Sequence, residues 1–131
     1  MPKTLEEFCE IPDIGPISNE VQRKSTLFVF EQEKKEGRNP QAVTGRGFDI
    51  LSGDRQIEVK GNEATGNFVY LNDRNIAALK KEPNFWLYIV KYKEGSPILL
   101  KFNKEQVEVR KITHEQWEVK FSAKELKEAK K

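Results

Sequence analysis

The sequence has one cysteine, Cys9, and one histidine, His114. A single cysteine excludes an internal disulfide and any zinc site built from several thiolates; a single histidine excludes a multi-histidine centre. A metal ion bound by this chain would therefore be held by oxygens, which favours magnesium, manganese or calcium. Long apolar runs are also missing. The most apolar segment is Phe85-Trp86-Leu87-Tyr88-Ile89-Val90, whereas a membrane helix needs about 20 such residues. Met1 to Pro12 is acidic and has no apolar core, so no signal peptide is expected. With its lone cysteine, the chain is expected in the cytoplasm. Finally, neither sign of charge dominates: 23 basic against 21 acidic residues give a net +2. Composition alone does not mark a nucleic-acid binder.

What is present fits one domain. The 131 residues include 8 Phe, 3 Tyr and 2 Trp, enough to fill a core despite a mean hydropathy of -0.72. Charge is unevenly spread. Glu6, Glu7, Glu10, Asp13 and Glu20 face only Lys3 in the first 20 residues, and the rest of the chain is net positive. We divide the chain into an acidic extension, 1–15, and a single domain, 16–131.

Thr4-Leu5-Glu6-Glu7 has the form of a capping box and predicts a short helix ending before Pro12. Ser18 can cap a longer helix to about Glu36, stopped by Gly37. Val21, Lys24, Leu27, Phe28 and Glu31 share one face at helical spacing and are predicted to include its core contacts, through Leu27 or Phe28. Phe48 to Leu51 and Arg55 to Lys60 read as strands joined by turn residues. Phe68 to Leu71 is a further short strand. Asn72 then caps a helix that ends before Pro83. Phe85 to Tyr92 reads as the central strand, followed by a turn at Gly95-Ser96-Pro97. Ile98 to Phe102, Val107 to Ile112 and Trp117 to Phe121 are predicted strands, and Ser122-Ala123-Lys124-Glu125 opens a C-terminal helix. The fold class is α/β.

The chemistry lies in Gly47-Phe48-Asp49-Ile50 and Ile57-Glu58-Val59-Lys60-Gly61. A two-residue turn at Gly53-Asp54 sets position 52 opposite 55 and 49 opposite 58. Asp49 and Glu58 then become cross-strand neighbours, and Lys60 shares their face. Ile57 and Val59 point the other way, into a core. Two carboxylates facing each other repel and call for a cation. Together they offer hard oxygen ligands for Mg2+ or Mn2+, with positions left open for water and phosphate. The same alternation also fits a solvated Asp/Glu/Lys face of an amphipathic strand. Arg46, between two glycines, is the best candidate for a phosphate contact. Asn62, Thr65 and Asn67 lie in the polar loop that follows Lys60.

The pair Asp49 and Ile57-Glu58-Val59-Lys60-Gly61 resembles the PD-(D/E)XK nuclease signature. The longer pattern is similar to the domain family named after the C-terminus of the NO VEIN protein. It comprises Phe30-Glu31, Gly37-Arg38-Asn39-Pro40, Gly45 to Ile50, Ile57 to Gly61, Leu71-Asn72-Asp73, Ala77-Ala78-Leu79 and Phe85 to Val90. The resemblance covers about residues 20–125. It implies a restriction-endonuclease-like core of helix, three strands, helix and strand, here with extra C-terminal strands and a helix. It also implies that Asp49 and Glu58 hold the metal and that Lys60 is the catalytic lysine. Glu31 of the first helix would hold a second metal or its water, with Glu20 as a rival. Lys24 stands where relatives are expected to carry an acid.

The resulting expectation is magnesium- or manganese-dependent hydrolysis of DNA, endonuclease-like, in restriction, defence or repair. The domain could act as a homodimer or within a larger restriction or helicase assembly. Arg46, Asn62 and Asn67 would contact the nucleic acid. Two alternatives stay open: a non-catalytic nucleic-acid-binding or protein-interaction module of the same fold, and a Holliday-junction-resolvase-like nuclease. His114 and Cys9 are read as ordinary residues, and Trp86 and Tyr88 as core.

Overall fold

The computed structural model describes residues 20–63, 66–107, 110–113 and 116–121. The short helix expected near Thr4, the C-terminal helix after Ser122, Cys9 and His114 lie outside the described residues. The long helix is α1, Glu20–Lys35. Glu20 in its first turn and Lys34 and Lys35 in its last suit the helix dipole. Gly37 ends it at φ 82°, with Arg38 N–H donating to the Glu33 carbonyl at 3.1 Å and Gly37 N–H to that of Lys34 at 3.0 Å. This double bond pattern is a Schellman stop, which needs a left-handed residue.

The face that α1 buries is not the predicted one. Ser25, Thr26, Val29, Phe30 and Glu33 are buried, while Leu27 and Phe28 are half-buried at its flanks. The polar members are satisfied locally. Ser25 Oγ donates to the Val21 carbonyl at 2.6 Å and Thr26 Oγ1 to that of Gln22 at 2.8 Å. Glu33 is fully buried and paired with Arg38, whose Nη2 lies 2.9 Å from Glu33 Oε2.

The main sheet has five strands: β1 (Pro40–Ala42), β2 (Ile50–Ser52), β3 (Arg55–Asn62), β5 (Phe85–Lys93) and β6 (Ser96–Asn103), in the order β1-β2-β3-β5-β6. The β2–β3 turn is Gly53-Asp54, pairing Ser52 with Arg55 and Ile50 with Ile57. β3 and β5 are parallel, with Glu58 beside Leu87 and Lys60 beside Ile89; the other pairs are antiparallel. β5, read as central, lies one place off the middle, which β3 occupies. The β5–β6 turn is Glu94-Gly95, both at positive φ, one residue earlier than predicted. Between β3 and β5 run β4 (Phe68–Asn72) and α2 (Asp73–Lys81). Asn72 caps α2 in a reciprocal pair with Asn75. β4 does not extend the main sheet. It pairs with β8 (Gln116–Lys120), which pairs with β7 (Arg110–Thr113), in a second sheet ordered β4-β8-β7.

Two apolar clusters cover the two faces of the main sheet. Ile57, Val59, Tyr88 and Val90 pack with Val29 and Phe30 of α1. Leu87, Ile89 and Leu100 pack with Phe48, Leu71, Ile76 and Val119. Ile57, Val59, Phe85, Leu87 and Ile89 are all fully buried, as expected. No helix among the described residues is long and apolar enough to cross a membrane.

Candidate active site

The candidate site forms where β2 stops short. β2 starts at Ile50, so among the described residues no strand pairs with the far half of β3 on that side. Asp49 stands just before β2 and anchors the gap. Its N–H donates to the Ile57 carbonyl at 2.8 Å, and its carbonyl accepts from Val43 N–H at 3.0 Å. Its Oδ2 accepts the Val59 N–H at 2.8 Å. The carboxylate thus supplies a ladder bond that a strand would otherwise make.

Glu58 and Lys60 project from β3 onto the face of Leu87 and Ile89, opposite to Ile57 and Val59. Glu58 is buried, with 4% of its surface exposed. Lys60 Nζ lies 3.1 Å from Glu58 Oε2. The electrostatics are those of two acids sharing one base. Burial pushes the Glu58 carboxyl well above its ordinary range; the neighbouring Asp49 charge adds to this and Lys60 only partly offsets it. Burial also raises Asp49, against the Val59 N–H, Lys60 and Glu58, which lower it. For Lys60 burial acts downward, but the charge and hydrogen bond of Glu58, with the Asp49 charge, outweigh it and leave the ammonium above its ordinary value. Lys60 therefore stays protonated at neutral pH.

This donor set fits a hard divalent cation. Two carboxylates are crowded together with a single ammonium to balance them, and burial opposes the charge of both. Among the described residues no cluster of three His, Cys, Asp or Glu is present. The protein ligands would be the two carboxylates, which is what magnesium commonly takes from a protein.

The other predicted residues are placed differently. Glu31 is half-buried on α1, nine residues from Gln22 and so roughly half a turn round the helix from it. Among the described residues neither Glu31 nor the exposed Glu20 bonds to Asp49, Glu58 or Lys60. What α1 brings to β3 is Gln22, which sequence reasoning missed. Its Nε2 donates to the Val59 carbonyl at 2.5 Å, and its Oε1 accepts from Gly61 N–H at 3.1 Å. A lone glutamine on a helix carries no spacing signal. Gly61 carried a faint one, since a Cβ there would lie 2.4 Å from Ser25 Oγ and 2.8 Å from Val21 Cγ1.

Arg46 is exposed, three residues before Asp49, its guanidinium 5.2 Å from the Phe48 ring centre. Its loop is pinned to α2, because Asn75 Nδ2 donates to the Gly47 carbonyl at 2.9 Å. A Cβ on Gly47 would lie 2.3 Å from the Arg74 carbonyl oxygen. Asn62 is turned inward rather than toward a ligand. It is buried, donates to the carbonyls of Gly66 at 3.1 Å and Phe68 at 2.5 Å, and accepts from Lys91 Nζ at 2.8 Å. The amide holds the loop after β3 closed, so its hydrogen-bonding capacity is spent within the protein. Asn67 is half-buried, and its carbonyl accepts Phe121 N–H at 3.0 Å.

Comparison with known proteins agrees with this architecture. No match was found among curated proteins. Among solved structures, the chain is similar to Hjc, a Holliday junction resolvase from the archaeal hyperthermophile Archaeoglobus fulgidus. The TM-score is 0.55 at 16% sequence identity, covering 76% of this chain and 83% of that one. Residues 22–102 match the family described as Protein NO VEIN, C-terminal. That span runs from Gln22 on α1 through Asp49, Glu58 and Lys60 to Phe102 in β6, and the chain belongs to the NO VEIN C-terminal family, here with a restriction-endonuclease-like fold.

Proposed function

We propose that this domain hydrolyses phosphodiester bonds in DNA with the help of Mg2+ or Mn2+. The observation that carries the reading is the grouping of Asp49, Glu58 and Lys60 at one edge of β3, two acids sharing one half-buried base. Asp49 and Glu58 would hold the cation. When bound, it would supply a more acidic water and neutralise charge on the phosphodiester. The chain's own residues do the rest. Lys60 is kept cationic by Glu58 and neutralises charge that develops on the phosphoryl oxygens. The Val59 N–H fixes the direction of the Asp49 carboxylate. Arg46 anchors a backbone phosphate beside the site, and Asn67 offers a weaker contact.

A second reading is supported by the solved fold neighbour, a Holliday junction resolvase: cleavage of branched DNA, with the domain acting as a homodimer. Both readings are tested with one panel. Duplex, single-stranded and four-way-junction DNA are incubated with the protein, with and without Mg2+ or Mn2+, and its mass in solution is measured. Cation-dependent cleavage supports the nuclease reading. Preference for the junction, together with a dimer mass, selects the resolvase. No cleavage and no Mn2+ binding would leave a non-catalytic module of the same fold.

A further inference from the structure

We propose that Gln22 is a positioning residue for Lys60 and Glu58, making the ladder bonds on β3 that a neighbouring strand would make. The inference rests on the metal-site reading above. Beyond Ile57, no strand among the described residues pairs with β3 on its β2 side. A bare edge would leave the peptide groups on either side of Lys60 without partners. Asp49 takes the Val59 N–H. Gln22 takes the next two groups, the Val59 carbonyl and the Gly61 N–H. A primary amide is the one side-chain group with a carbonyl and an N–H in the arrangement of a peptide bond. It can therefore clamp both groups at once, bracketing Lys60 between them.

The clamp is itself held. Gln22 Nε2 also lies 3.5 Å from Thr26 Oγ1, one helical turn on. The helix sits close to β3 because residue 61 is glycine, with Ser25 and Val21 packed where a Cβ would be. Rotation of β3 about its axis would swing Glu58 and Lys60 relative to Asp49, and the amide opposes that rotation. An extended β2 would supply the same bonds, but it would occupy the place where Asp49 turns its carboxylate to β3. A side chain from a helix fills the ladder without closing the site.

The test measures Mn2+ affinity, cation-dependent cleavage and thermal stability for wild type, Gln22→Met and Gln22→Glu. Methionine keeps the length and loses both bonds. Glutamate keeps the acceptor for Gly61 and loses the donor for Val59, which covers the case in which Gln22→Met fails to fold. Loss of a supporting contact to a metal site commonly weakens affinity by about tenfold or more. We expect that loss in folded Gln22→Met and a smaller one in Gln22→Glu. Faster hydrogen exchange at Gly61 should accompany both. A lower melting temperature with unchanged Mn2+ affinity and cleavage would reduce Gln22 to a structural contact and overturn the proposal. Tighter Mn2+ binding by Gln22→Glu would overturn it too, because residue 22 would then be reaching the ion itself. If wild type neither binds Mn2+ nor cleaves DNA, the metal-site reading fails and this proposal falls with it.

Discussion

The carboxylate of Asp49 and the backbone of Val59 are joined by a hydrogen bond of 2.8 Å that completes a strand ladder with a side chain. One residue on either side of Val59, Glu58 and Lys60 turn to the opposite face of β3 and meet as an ion pair. The local irregularity of β2 and the clustering of charge are thus one feature. Ending the strand at Ile50 is what lets Asp49 approach its acidic neighbour.

Asp49→Asn should separate stability from activity. An asparagine oxygen can still accept the Val59 N–H, and Lys60 keeps its partner Glu58. The charge that helps to raise Glu58 is gone. Without metal, the variant should match or exceed wild-type stability by up to about 1 kcal/mol, within the usual span for a change that breaks no packing. Mn2+ binding and cation-dependent cleavage should be lost. Chemical denaturation and titration with Mn2+ check both.

The pH dependence of the metal-free protein follows from the raised carboxyls of Glu58 and Asp49. Each folded-state value lies above its ordinary one, 4.5 for Glu58 and 3.8 for Asp49. The folded protein therefore holds protons that the unfolded chain has released. This contribution is fully present below the ordinary carboxylate range and is lost as pH rises through the folded-state values. The slope is at most about 1.4 kcal/mol per pH unit for each proton. Divalent cations compete with these protons, so stabilisation by Mn2+ should grow as pH rises. Melting curves with and without Mn2+ from mild acid to mild alkali test the sign. Stabilisation by Mn2+ that shrinks with rising pH would contradict it.

Gly61→Ala should be poorly tolerated. The added methyl would meet Ser25 Oγ at 2.4 Å and the Val21 carbonyl oxygen at 3.0 Å, pushing α1 away from β3. Overpacking of this kind costs about 1–3 kcal/mol. Because the Gln22 clamp crosses the same contact, Mn2+ affinity should fall along with the denaturation midpoint.

Away from the site, Arg38→Met should destabilise through Glu33. Glu33 is fully buried and bonded by Arg38 and by Tyr88 Oη at 3.2 Å. Removing the cation strands a buried carboxylate, a loss of about 3–5 kcal/mol in fully buried pairs. A quarter of the Arg38 side chain is exposed, at 25%, so the lower end is expected. Urea denaturation measures it, and cleavage at temperatures below unfolding should persist.

Much of this arrangement was legible in the chain itself. Gly53-Asp54 fixed the register of β2 on β3, strand alternation put Glu58 and Lys60 on one face, and Asn72 and Gly37 marked helix boundaries. The misses have physical reasons. α1 buries Ser25, Thr26 and Glu33, whose polar groups are satisfied by backbone carbonyls and by Arg38, so hydrophobic periodicity pointed to the wrong face. β1 is three residues long and opens on Pro40, tolerated because it is an edge strand. β4 alternates like any strand, and alternation does not say which sheet it joins. Asn62 looks like a solvent-facing loop residue, but its partners are carbonyls brought near only by folding.

The measurement that tests the central claim most directly compares the rate of cation-dependent DNA cleavage by wild type and by Lys60→Ala, with both melting curves recorded. Lys60 is 22% exposed at its side chain and pairs with Glu58, so its loss leaves the strands paired but removes the only cation paired with Glu58 among the described residues. The account predicts cleavage by wild type only when Mg2+ or Mn2+ is present, and a fall in Lys60→Ala of at least about a hundredfold, the scale of losing one electrostatic stabiliser of the transition state. Cleavage that needs no cation, or equal rates for the two proteins, would contradict it.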